Sequence, residues 1–133
     1  MTRPHSRKVS IGFVFLAFAL RTSPLAADVI VPSSAFRAGA GGAEFHSDVR
    51  ILNPGPSPVT VTPAFYDQTT GETVTMPAFQ VPSRSQVAYD NILASLFGRT
   101  LGQGSYGPIR FQSTGTIIVS SGVNNVNACG NGA

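Results

Sequence analysis

The sequence predicts an all-β protein: an antiparallel β-sandwich, Ig-like or jelly-roll-like, with one short helix near residues 90–97. Three observations lead there. Short runs of alternating polar and apolar residues recur, with turn signals about every eight to twelve positions. Beyond the N-terminal 27 residues, only one segment carries helical spacing. A single cysteine, Cys129, rules out an internal disulfide, so stability must come from an ordinary apolar core.

The first 27 residues read as a secretory signal peptide. Arg3, Arg7 and Lys8 form a positive start, residues 9–20 an apolar run, and Leu25, Ala26 and Ala27 a small-residue stretch before Asp28. Twelve apolar residues rise only about 18 Å as a helix, short of a bilayer core of about 30 Å. The reading is therefore a cleaved leader, with no stable membrane span afterwards. Removing 27 of the 133 residues leaves 106, one domain.

Cleavage also changes the charge argument. The full chain carries +3 with a pI of about 9.6. Residues 28–133 hold five arginines, no lysine and six carboxylates, a net charge of −1. The five arginines are scattered, whereas a phosphate-binding surface clusters them, so no nucleic-acid partner is expected.

Residues 28–32 (DVIVP) form a first strand, and the Gly/Ala-rich residues 33–47 a loop. Residues 48–52 alternate, with Val49 and Ile51 on one face and Asp48 and Arg50 on the other. Residues 53–58 (NPGPSP) make a corner, because three prolines fix φ and remove backbone donors. Val59, Val61 and Phe65 then share a face, and Pro63 within that run points to an edge strand or a bulge. Residues 67–72 turn, residues 73–76 begin the next strand, Phe79 and Val81 alternate, and Val87 and Tyr89 do so again after the turn at 83–85.

Residues 90–98 give the helix, with Asp90 as cap, Ile92, Leu93, Leu96 and Phe97 on one side, and Gly98 as stop. At about two turns it must lie on the sheet to persist. Residues 101–107 read as a Gly loop, residues 108–112 as an alternating strand, and residues 116–120 (TIIVS) as a last strand whose β-branched run suggests a central position.

Few motifs carry chemistry. Residues 102–107 fit G-x-G-x-x-G, but a helix precedes and a strand follows, the reverse of a dinucleotide site. Residues 37–42 (RAGAGG) lack the Gly-Lys-Ser/Thr of a phosphate loop. His46, Asp48 and nearby Glu44 are the one cluster with metal-ligand chemistry, yet a zinc site needs three or four ligands and a surface histidine is the simpler reading. G-x-S-x-G and N-x-S/T are absent. No cofactor or metal is expected.

The runs DVRILNPGPSPVTVTPAFYD (48–67), VPSRSQVAYDNILASLFG (81–98) and GPIRFQSTGTIIVSSGVNN (107–125) resemble a recurrent module of exported bacterial proteins. They are also similar to the small β-sandwich of the sensory rhodopsin transducer family. The resemblance implies a β-sandwich used for binding or assembly and maps no functional residue. Such modules continue past CGNGA, so the chain reads as C-terminally truncated, with Cys129 pairing with another chain or a missing segment.

The expectation is a non-enzymatic binding or structural module, secreted, periplasmic or at the cell surface. Its partner is protein or carbohydrate, met through end loops at 35–47 and 99–107 or through strand edges, which also offer a route to a homo-oligomer. The contact residues read from the sequence are Arg37, Glu44, His46, Tyr66, Arg99 and Tyr106. Most other aromatics fall at core-facing positions. The alternative is a small secreted hydrolase using carboxylates or His46. A pocket joining His46 to two carboxylates would favour it.

Overall fold

The computed structural model describes residues 27–126. The predicted leader and Cys129 lie outside them. The order is β1 (Ala27–Ala38), β2 (Glu44–Asn53), β3 (Val59–Tyr66), β4 (Thr73–Thr75), β5 (Phe79–Val81), β6 (Ser85–Tyr89), α1 (Ile92–Ser95), β7 (Ser105–Ser113) and β8 (Ile118–Asn125). All pairings are antiparallel. The protein is an all-β, sandwich-like fold, as the alternation predicts.

Two groups of strands face one core. In the first, β3 carries β4 and β5 on one side and β7 on the other, and β7 then pairs with β1. In the second, β2 lies between β6 and β8. The groups join where β1 and β2 pair, over Phe36–Ala38 and Glu44–His46, beside the hairpin. Beyond that short ladder β1 stays with β7, while β2 pairs with β6 and β8. Val49, Ile51, Val61, Phe65, Ile109 and Phe111 are fully buried between the groups. Val81, Ile92 and Leu93 are fully buried in the same core, and each large apolar side chain taken from water contributes about 1.5–3 kcal/mol.

The structure corrects several boundaries. Residues 33–38 are strand, not loop. A register shift between Val31 and Ser34 places a bulge at Pro32 and Ser33, where a residue without an N–H costs no ladder bond. Ser34 donates its hydroxyl to the Gly107 carbonyl at 2.7 Å, and the Ala35 amide donates to the Ser47 hydroxyl at 2.8 Å. These serines look like loop residues because their partners are distant in sequence. At the N-terminal side of β2, residues 44–47 are likewise strand. The true loop is residues 39–43. The Phe45 ring packs so closely on Gly39 that a Cβ there would sit 2.5 Å from it.

β7 begins at Ser105, so residues 105–107 are also strand rather than loop. β3 is not an edge. Its Pro63 stands opposite Phe111 of β7. The Pro63 carbonyl accepts from the Met76 amide on the other side, where β5 pairing has stopped and β4 pairing begins. In an antiparallel strand a residue's N and C=O point the same way, so the missing donor of Pro63 faces that gap. β8 is not central. It pairs with β2, and most of its residues are exposed.

The helix is shorter than predicted and capped by Asn91, not Asp90. Asn91 has φ of 47°, a left-handed conformation that Asn tolerates. Its backbone N–H donates to Asp48 Oδ1 at 2.9 Å, and its side chain accepts from the Ala94 amide. Asp90 is instead drawn outward to Arg50, at 2.6 Å. Ile92, Leu93 and Phe97 still point into the core, and Gly98, with φ of 64°, ends the turn.

Candidate functional site

Three of the six residues singled out come together on the outer face of the first group of strands. β7 lies between β3 and β1, and the register sets Tyr66 opposite Pro108, following Phe65 opposite Ile109. Tyr106 lies two residues from Pro108, on the same face. Tyr66 and Tyr106 are thus diagonal neighbours, a relationship that spans about 7–8 Å. From β1, Arg37 places its guanidinium carbon 5.2 Å from the centre of the Tyr106 ring. Arg37 is exposed and Tyr106 is 41 % exposed.

Arg110 completes this platform, one alternation beyond Pro108. Its guanidinium reaches Asp28 Oδ2 of β1 at 3.2 Å. Hydrogen bonding to Tyr66, then to Asp28, holds it above its ordinary titration range. Its Nε is buried with no partner among the described residues. Arg110 does not stand out in the sequence, because an arginine on the wet side of a strand looks like solvated surface. The signal was present: carrying the alternation of 108–112 back through Gly107 puts Tyr106 and Arg110 on one face. Ile30, 61 % exposed, stands opposite Arg110 on β1. The surface offers aromatic faces, two guanidinium groups, one carboxylate and one aliphatic side chain. Such a set stacks on apolar ring faces and hydrogen-bonds planar or hydroxylated groups.

The other three residues lie elsewhere. Glu44 and His46 are on β2, and His46 does share a face with Asp48, as alternation predicts, at 3.5 Å from Nε2 to Oδ1. Asp48 is already engaged. Its Oδ1 takes the Asn91 amide and its Oδ2 accepts from Asn124 Nδ2 at 2.7 Å, tying the helix entrance and β8 to β2. Among the described residues no three His, Cys, Asp or Glu side chains are grouped to hold a metal ion.

Arg99 is only 10 % exposed and serves an internal network. Its Nε lies 3.6 Å from Asp67 Oδ2, its Nη2 donates to Glu72 Oε2 at 3.1 Å, and the guanidinium carbon sits 5.9 Å from the Phe65 ring centre. Asp67 is buried. Burial alone would raise its pKa, but the Ser105 hydroxyl, the Thr69 amide and the Arg99 charge outweigh it, so the carboxyl titrates below its ordinary value. The cluster fastens the 67–72 turn to the 99–104 loop and to β7.

A groove of about 570 Å³ lies at the opposite end of β2, lined by residues 53–59 and 114–116. Seven residues of strand, about 23 Å, separate Asn53 from His46. The groove therefore does not join His46 to a pair of carboxylates. Its floor is set by Asn53, whose amide nitrogen donates to the carbonyls of Ser57, Val81 and Pro82 while its oxygen accepts from the Gly55 amide.

The likeness to solved structures concerns fold. The chain is similar to the Anabaena sensory rhodopsin transducer, with a TM-score of 0.55 and 19 % identity over 71 % of this chain and 84 % of that one. No family model and no curated protein matches the sequence. No helix among the described residues is long and apolar enough to cross a membrane.

Proposed function

We propose that this is an exported, non-enzymatic binding or structural module, working at the cell surface or in the periplasm, and that it recognises protein or carbohydrate. Its recognition surface is the outer face of β3, β7 and β1. One observation carries the reading: Tyr66, Tyr106, Arg37 and Arg110 converge on a single exposed face although they come from three strands. Tyrosine and arginine supply much of the energy of protein interfaces, and flat tyrosine faces stack on sugar rings. The site differs from the end loops and strand edges that the sequence singles out, because the residues of 35–38 and 105–107 lie in strands and present their side chains laterally.

Glycan-array screening of the full chain, run beside a pull-down from envelope extract, tests this. A ligand bound by the wild type should be lost in Tyr106→Ala and Arg110→Ala. Retention of that ligand by both variants would refute the assignment of the face.

A further inference from the structure

We infer that the end of the outer face remote from Tyr106 is a subsite for the vicinal diol of a sugar, formed by Asp28, Arg110, Gln112 and Thr62, and that the occupant of the whole face is an oligosaccharide or polysaccharide. The inference rests on the face proposed above and narrows its partner from protein or carbohydrate to carbohydrate.

The strand register builds the subsite. Gln112 of β7 stands opposite Thr62 of β3 on one side and Asp28 of β1 on the other. Val61, Pro63, Phe111 and Ser113, the chain neighbours of Thr62 and Gln112, are buried, so those two side chains point outward, and Asp28 is exposed beside them. Side chains directly opposite each other on antiparallel strands have Cβ atoms about 4.5–5.5 Å apart, close enough for neighbours in the row to meet one sugar ring. Arg110, one alternation from Gln112, reaches across to Asp28, with Nη2 3.2 Å from Oδ2.

The hydrogen-bonding capacity left at this end defines the ligand. Asp28 and Arg110 neutralise each other, so they call for no charged partner. A carboxylate only accepts and a guanidinium only donates. Asp28 is met through Nη2 alone, and the Arg110 and Asp28 side chains remain 36 % and 47 % exposed. Their open side therefore sets an acceptor next to a donor. Two hydroxyls on adjacent ring carbons match that pair: one donates to Asp28 while the other accepts from Arg110. Gln112 adds an amide, which does both, and Thr62 adds a hydroxyl. Among the described residues, neither of these two side chains hydrogen-bonds within the chain.

Length and layout favour a glycan over a protein. Six residues of β7, about 20 Å, separate Gln112 from Tyr106, so a ligand that meets both is several sugar rings long. A protein interface places its aromatic anchors at a dry centre ringed by polar groups. Here the tyrosines stand toward one end, the other end bears hydroxyl, amide and ion-paired groups, and Ile30 is the one large aliphatic side chain. Stacking at one end and hydrogen bonding at the other fit a chain of rings that each have a flat apolar side and a hydroxylated edge.

An array of oligosaccharides of increasing length, probed with the full chain, tests this. Binding should rise with length and require rings with a free vicinal diol. Periodate oxidation followed by borohydride reduction, which opens such rings, should abolish it. Gln112→Ala and Thr62→Val should each weaken binding of the wild-type glycan by roughly three- to tenfold at an unchanged unfolding temperature. Full binding by both variants, or equal binding of chains without a vicinal diol, would overturn the subsite. An empty array would overturn the carbohydrate inference, and the face itself would survive if the wild type captured an envelope protein that Tyr106→Ala did not. A glycan held equally well by Tyr106→Ala would remove the face instead.

Discussion

Ser105 donates its hydroxyl to Asp67 Oδ2 at 2.8 Å, and both side chains are buried. This bond supports a carboxylate that burial alone would disfavour. Ser105→Ala should therefore cost about 1–3 kcal/mol, the usual range when a buried charged group loses a hydrogen bond. Urea unfolding at neutral pH measures it.

The same carboxylate sets an acid limit. Asp67 has a lowered pKa in the folded state. Its contribution to stability is fully present above the ordinary aspartate value of about 3.9 and is lost as pH falls through the lower folded value. Between pH 5 and pH 2 the wild type should lose more stability than Asp67→Asn, which has no charge to protonate there. Parallel curves for the two proteins would contradict the assignment.

Asn53 holds the NPGPSP corner. Asn53→Ala leaves the Val81 carbonyl and the Gly55 amide short of a partner and should destabilise by about 2–4 kcal/mol. Asn53→Asp should not rescue it, because a carboxylate cannot donate to the three carbonyls. Thermal unfolding of both variants checks this.

Gly107 has no room for a side chain. It has φ of 150°, and a Cβ would lie 2.1 Å from the Tyr66 carbonyl oxygen. Gly107→Ala should cost more than about 3 kcal/mol, or prevent folding. A soluble variant of wild-type stability would show that β3 and β7 approach each other differently.

These residues also show what the sequence could reveal. Alternation alone located β2, β3, β6 and β7, because Val49–Ile51, Val59–Val61 and Ile109–Phe111 are buried at period two and local order suffices. It failed at residues 33–38 and 105–107. There the polar groups are satisfied by bonds such as Ser34 to Gly107, across 73 residues, which no local pattern encodes. It failed for β8 because β-branched residues report extended backbone, not position in a sheet. For the candidate site, Arg37, Tyr66 and Tyr106 were legible as exposed functional types. That they share a face with Arg110 depends on which strands are neighbours, and Arg99 reads as a contact residue only until Asp67 and Glu72 are placed beside it.

The most direct test compares three proteins on one ligand screen: the wild type, the double variant Tyr66→Ala/Tyr106→Ala, and His46→Ala. The double variant should lose the wild-type ligand while unfolding at nearly the same temperature, and His46→Ala should bind as the wild type does. Loss of binding in His46→Ala, with the double variant unaffected, would move the functional surface to β2 and contradict the reading given above.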